Sequence, residues 1–126
     1  MPATAQNARC TETRSAEATA ALGRVNSWAG LHAFYRRYAA CDDGGVAEDV
    51  TETVVHMLAH RWSWLPKLNA EAKADPTFET WVRQHIDSTA DTDDLVEIRR
   101  TATALCPPTL TGLCRRMRMA ANGALR

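Results

Sequence analysis

The sequence predicts an all-α fold, a compact bundle of five or six short helices stapled by two disulfides. Three observations predict it. Apolar residues recur at the helical period along most of the chain, capping and stop signals punctuate that period at short intervals, and no segment alternates as a half-buried strand would. The chain is 126 residues long, one domain's worth, with 45% apolar and 24% charged residues, as in ordinary folded domains. No apolar run approaches the roughly 20 residues that a membrane span needs, so no membrane insertion is expected. The formal net charge is zero, which argues against general nucleic-acid binding.

Residues 1–26 are polar and alanine-rich and read as an N-terminal arm or short helix held down by Cys10; residues 27–126 read as the single helical domain. Ser27 caps a helix running to about Ala40, with Trp28, Leu31, Tyr35 and Tyr38 on its apolar face. "CDDGG" stops it, and Asp43 to Gly45 start the next helix. That helix carries Val46, Val50, Val54, Met57, Leu58, Trp62 and Leu65 in one stripe until Pro66 breaks or kinks it. "KLNAEAKA" makes a short helical segment after the proline.

Asp75-Pro76 is a strong start signal, because Asp caps and Pro is preorganised for the first turn. Phe78, Trp81, Val82, His85 and Ile86 then share a face. Thr92 with Asp93 and Asp94 starts another helix, lined by Leu95, Ile98, Ala102 and Leu105 and ended by Cys106-Pro107-Pro108. The last helix runs from about Thr109 to Asn122 through Leu110, Leu113, Cys114 and Met117, with Gly123 as its stop.

Four cysteines fit neither a paired zinc framework nor a C-x-x-C redox motif. An even count in a short chain suggests two disulfides and an oxidising compartment, periplasmic or secreted, while four reduced thiols in a cytoplasmic protein are the alternative. Of the three connectivities, Cys10–Cys41 and Cys106–Cys114 are favoured. The first ties the N-terminal arm to the end of the first long helix, and the second closes the Pro-Gly punctuated segment "CPPTLTGLC" between two helical patterns. Chain entropy assigns roughly 3.5 to 4 kcal/mol to the longer loop and about 2.5 kcal/mol to the shorter. "MPATAQNAR" has no apolar signal core, but Ala3-Thr4-Ala5 is an A-x-A pattern of the kind that precedes a cleavage point, so the start of the chain weighs little against export.

His56 and His60, four residues apart, project from one side of a helix, and Glu52 lies four residues before His56. A Glu52-His56-His60 metal set is therefore geometrically available, with His32, His85 or a carboxylate as the fourth ligand. The zinc-protease pattern H-E-x-x-H is absent, since Met57 follows His56, and both histidines lie toward the polar flank of the buried stripe. Boundary histidines, no metal and no cofactor are the expectation. Glycine-x-serine-x-glycine, P-loop and dinucleotide fingerprints are all missing, so a non-catalytic protein is expected.

What remains is partner binding. Trp62 and Trp81 fit core stripes, but Trp64, two residues from Trp62, cannot share its face and is a candidate anchor for a partner. The acidic turns at Asp42 and Asp43 and at Asp91, Asp93 and Asp94 are candidate recognition loops, although acids at helix starts are also simply what the macrodipole favours. After Glu97 the chain has no acid, and Arg99, Arg100, Arg115, Arg116, Arg118 and Arg126 make it basic.

With Cys41 in "YAACDDGGVAEDV", Cys106 and Cys114 in "CPPTLTGLC" and the helical stripes between them, the chain resembles in organisation the helical periplasmic immunity proteins that neutralise type VI-secreted peptidoglycan amidases. That resemblance implies a non-enzymatic inhibitor that blocks a toxin's active-site cleft, often as a homodimer. It carries over no inhibitory residue, and the arginine-rich C-terminus and the four tryptophans have no counterpart in it. The lead expectation is a protein-binding domain of this immunity or inhibitor kind. A small metal-binding protein using Glu52, His56 and His60, or a structural subunit, is the alternative.

Overall fold

The computed structural model describes residues 9–126, so the Ala3-Thr4-Ala5 pattern lies outside the described residues. Seven α-helices and no strand are found among them: α1 (Glu12–Leu22), α2 (Trp28–Tyr38), α3 (Gly44–His60), α4 (Leu65–Ala74), α5 (Pro76–Gln84), α6 (Thr92–Ala104) and α7 (Thr111–Ala124). Single 3₁₀ turns at Ala39–Cys41, Trp62–Trp64 and Pro108–Leu110 join successive helices. None of the helices is long and apolar enough to cross a membrane.

Local chemistry sets the boundaries. Thr11, Ser27, Asp43, Asp75 and Asp91 each accept a backbone N–H at the start of the helix that follows, which satisfies a donor with no intrahelical partner. Gly44 opens α3 at φ +51°, a left-handed conformation in which a side chain would be strained. Pro66 and Pro76 sit in the first turns of α4 and α5, where their missing N–H costs nothing.

α3 is the axis of the bundle. Val50, Val54, Val55, Met57 and Leu58 are buried along it, and it packs against both α1 and α6. α6 packs most extensively on α7, α2 lies on α4, and α5 bridges to α7. At that bridge Arg116 donates from Nε and Nη2 to Glu79 at 2.8 and 2.9 Å, a fork-on-carboxylate pair at a glutamate that is only 9% exposed. Arg83 Nε lies 2.9 Å from the same carboxylate without hydrogen-bond alignment. The core is continuous from Ala18 and Leu22 of α1 through Trp28, Phe34, Phe78 and Trp81 to Leu113 and Met117.

Cys10–Cys41 and Cys106–Cys114 are both bonded, and no free cysteine remains. The N-terminal segment takes its helical form, and α1 contributes to the shared core instead of hanging from it as an arm.

The remaining boundaries differ from expectation in instructive ways. α3 ends at His60, because Arg61 turns out of the helix at φ −132°, ψ 45°. An uninterrupted helix through Pro66 would lose the bond to the Trp62 carbonyl and drive the proline ring against it, so the chain reorients one turn earlier. Trp62 is consequently half-buried at the bundle edge, where its indole Nε1 donates to the Leu105 carbonyl at 2.9 Å and satisfies the end of α6. Leu105 itself lies past that helix and is 55% exposed. α6 does begin at Thr92 with Asp93 and Asp94 in its first turn, and Asp91 caps it, accepting from the Asp94 amide at 3.0 Å. Gly123 does not stop α7, which continues to Ala124.

Replacing Cys10 and Cys41 together by Ser should lower the urea-unfolding free energy by about 3.5 kcal/mol, against about 2.5 kcal/mol for the Cys106 and Cys114 pair. Equal losses for the two pairs would contradict the loop-length account.

Candidate functional site: an acidic groove pinned by buried histidines

Two of the four histidines are buried, and each is clamped at both ring nitrogens. His32, on α2, has Nδ1 at 2.7 Å from Glu71 Oε1 and Nε2 at 3.0 Å from Asp75 Oδ2, and its ring stacks on Phe78 with centroids 4.4 Å apart. This ties α2 to both ends of the α4–α5 junction. Asp75 also accepts from the Thr77 hydroxyl at 2.6 Å while capping α5.

His85, just beyond α5, has Nε2 at 2.8 Å from Asp42 Oδ2 and Nδ1 at 2.8 Å from Thr51 Oγ1. Trp81 Nε1 donates to the same Asp42 oxygen at 2.8 Å, and the Thr51 hydroxyl donates to Asp87 Oδ2 at 3.1 Å. Because an ionised carboxylate only accepts, the Thr51 hydrogen goes to Asp87 and the Thr51 oxygen accepts from His85 Nδ1. Asp87 then closes the following turn, its Oδ1 accepting from the Thr89 amide at 2.9 Å and the Thr89 hydroxyl at 2.5 Å. One chain of bonds thus runs from the turn before α3, across α3 at Thr51, into the loop between α5 and α6.

That loop forms one wall of a groove of about 700 Å³, and α3 forms the other. Glu48, Asp49 and Glu52 line it from α3, and Asp91, Asp93 and Asp94 line it from the loop and the first turn of α6. Among the described residues no lysine or arginine lines it. His56 and His60 continue the α3 wall, and His60 Nε2 reaches across to Asp94 Oδ1 on the other wall at 2.8 Å. A second groove, of about 780 Å³ between α1 and α3, holds Trp64 with Met57 and Arg61 and shares Asp49, Glu52 and His56 with the first. The exposed ridge of α3 therefore separates the two grooves.

The structure sorts the sequence candidates. Asp91, Asp93 and Asp94 come together with Glu52, His56 and His60 in the acidic groove. Trp64 is half-buried in the neighbouring groove with the Arg61 guanidinium 5.7 Å from its ring centre. Asp42 is not a free recognition residue, since it holds Trp81 and His85, and Asp43 is an exposed helix cap. His32 and His85, candidates for a fourth metal ligand, have both nitrogens engaged elsewhere. Glu48, Asp49, Thr51 and Asp87 were missed as site residues; the signal was Glu48, Asp49 and Glu52 at spacings of three and four, which puts these acids on neighbouring positions of a helix surface.

Comparison of the chain with protein-family models, with curated proteins and with solved structures finds no match.

The titration of two aspartates follows from these contacts. The Thr77 hydroxyl foremost, and then His32, hold Asp75 below the ordinary aspartate range against the opposing effect of burial. Burial pushes Asp87 up, but the Thr89 hydroxyl and amide, the Thr51 hydroxyl and the His85 ring together outweigh it and bring that carboxyl below the ordinary range as well. A carboxyl whose folded pKa is depressed stabilises the fold fully above its unfolded value, about pH 4, and loses that contribution as pH falls through the folded value. The urea-unfolding free energy should therefore fall from about pH 4 downward, and Asp75→Asn or Asp87→Asn should each flatten that fall. Variants as acid-sensitive as the parent would contradict these assignments.

Proposed function

We propose that this chain is a non-catalytic protein-binding domain that docks a cationic surface of its partner in the acidic groove between α3 and the α5–α6 loop. The observation that carries the reading is the gathering of six carboxylates from two walls, with no lysine or arginine among the lining residues, in a chain of zero net charge. Charge concentrated this way in a molecule with no overall excess acts locally, steering a complementary patch and penalising an acidic one. Trp64, across the α3 ridge, supplies an adjacent aromatic anchor of the kind that carries binding energy.

The most concrete form of this reading is an immunity or inhibitor protein that neutralises a secreted bacterial toxin enzyme, acting in the periplasm or outside the cell. Two disulfides with no free cysteine, and no membrane-spanning helix among the described residues, are compatible with that location. An acidic groove closed over the cationic rim of the enzyme's cleft would exclude substrate without any chemistry of its own.

The test is coexpression with the protein encoded by the adjacent gene, followed by association kinetics. A stable complex is expected. Glu48→Gln, Glu52→Gln and Asp93→Asn combined, all at exposed positions, should leave the Tm within a few degrees of the parent and slow association about tenfold at low salt, the difference shrinking as salt is raised. Failure to form a complex, or association indifferent to both the triple change and salt, would contradict the proposal.

A further inference from the structure

A cluster spanning the two walls has chemistry more specific than charge. The ring nitrogens of His56 and His60 and a carboxylate oxygen of Asp94 can each be assigned one ligand atom such that all lie within 4.8 Å of one another. We propose that His56, His60 and Asp94 form a site for one divalent transition-metal ion of the Zn²⁺ class.

Helix geometry supplies the first two ligands. Residues four apart on α3 stand one above the other, and the two rings lie with centroids 4.6 Å apart. The third comes from the first turn of α6, where Asp94 Oδ1 is 2.8 Å from His60 Nε2. In a tetrahedral zinc site, with bonds of about 2.0 to 2.1 Å, neighbouring ligand atoms stand about 3.3 Å apart, so the 2.8 Å His60–Asp94 pair must open slightly and the other two pairs, within 4.8 Å, need close by no more than about 1.5 Å. That adjustment is cheap, because His56 and His60 are exposed and neither is part of the core. His56 makes no side-chain hydrogen bond among the described residues, leaving its ring free to turn.

Donor type selects the metal. Two imidazoles and one carboxylate suit zinc and its late first-row neighbours, whereas calcium takes six to eight oxygen ligands and magnesium retains its water. The surrounding carboxylates favour any cation, and Arg61, next in the chain to His60, is directed over the Trp64 ring on the other side of the ridge. Three protein ligands leave a fourth tetrahedral position for water or for a donor side chain of a docked protein. Sequence reading pointed to Glu52 as the third ligand; Asp94, 34 residues from His60, is the one the fold delivers.

The site stands independently of the docking proposal, since the protein alone tests it. Calorimetric titration of the disulfide-intact, metal-free protein with ZnCl₂ should show one-to-one binding in the micromolar range or tighter, with a rise in Tm. His56→Ala and His60→Ala should each weaken binding by more than the roughly 10- to 100-fold that loss of an outer-shell partner costs, and Asp94→Asn should weaken it measurably. Far-ultraviolet circular dichroism checks that each variant is folded, and the Co²⁺-substituted parent should give the intense visible bands of a four-coordinate site. Absence of binding, one-to-one binding that survives both histidine changes, or an affinity untouched by Asp94→Asn would overturn the assignment, in each case leaving the docking test unaffected.

Discussion

The Asp42–His85–Thr51–Asp87 chain is the constraint on which the acidic groove depends. A segment that carries Asp91 at the end of the loop and Asp93 and Asp94 in the first turn of α6 would by charge alone move away from an α3 surface carrying Glu48, Asp49 and Glu52. It is held there by hydrogen bonds among groups largely withdrawn from water. His85 is 6% exposed and Thr51 is 2% exposed, so their bonds face little competition from solvent. Removing one partner would leave the others buried and unsatisfied, which costs about 1 to 3 kcal/mol for each neutral group and more for a charged one. Like charges are thus brought together by a separate polar lock behind them, and the repulsion remains available to be relieved by a cation, whether a protein surface or a metal ion.

The His32–Glu71–Asp75 clamp does the equivalent work at the other end of α5. It fixes the α4–α5 junction against α2, and the Phe78 ring beneath His32 carries that position into the core. α5 is therefore held at both ends by a buried histidine, and through Glu79 it is joined to Arg116 of α7. A short helix of nine residues is marginal on its own; here its register is set by side chains on its neighbours. His85 emerges from that fixed end at the height of Thr51, which is what places the following loop across from α3.

Much of the bundle is legible in the sequence because it is written in local chemistry. Ser27, Asp43 and the Asp75-Pro76 start announce helices through short-range hydrogen bonding and fixed φ, and Pro66 announces a break. The disulfide pairing follows from which segments need closing. The end of α3 was misplaced because the helical period continues through Trp62 and Leu65, although Pro66 forbids the helix those residues would share. Leu105 read as core because periodicity does not reveal that a helix has ended beneath it. The site is less legible than the fold. His32 and His85 became structural because carboxylates 43 residues away in sequence fold against each of them, Asp75 and Asp42 respectively. Asp94 meets His60 for the same reason, across a separation of 34 residues. Pairings at that range are set by how the helices pack, and a single sequence carries no local mark of them.

Thr51→Val offers the most direct examination of the lock, since it preserves side-chain shape and removes only the hydroxyl joining His85 to Asp87. Native-state amide hydrogen exchange should then show accelerated exchange at the Thr89 and Asp94 amides, which are protected by Asp87 and Asp91, beyond any change seen in the buried middle of α7. Exchange at those two amides that is unchanged, or that rises only in step with α7, would contradict the claim that this chain of bonds holds the acidic loop against α3.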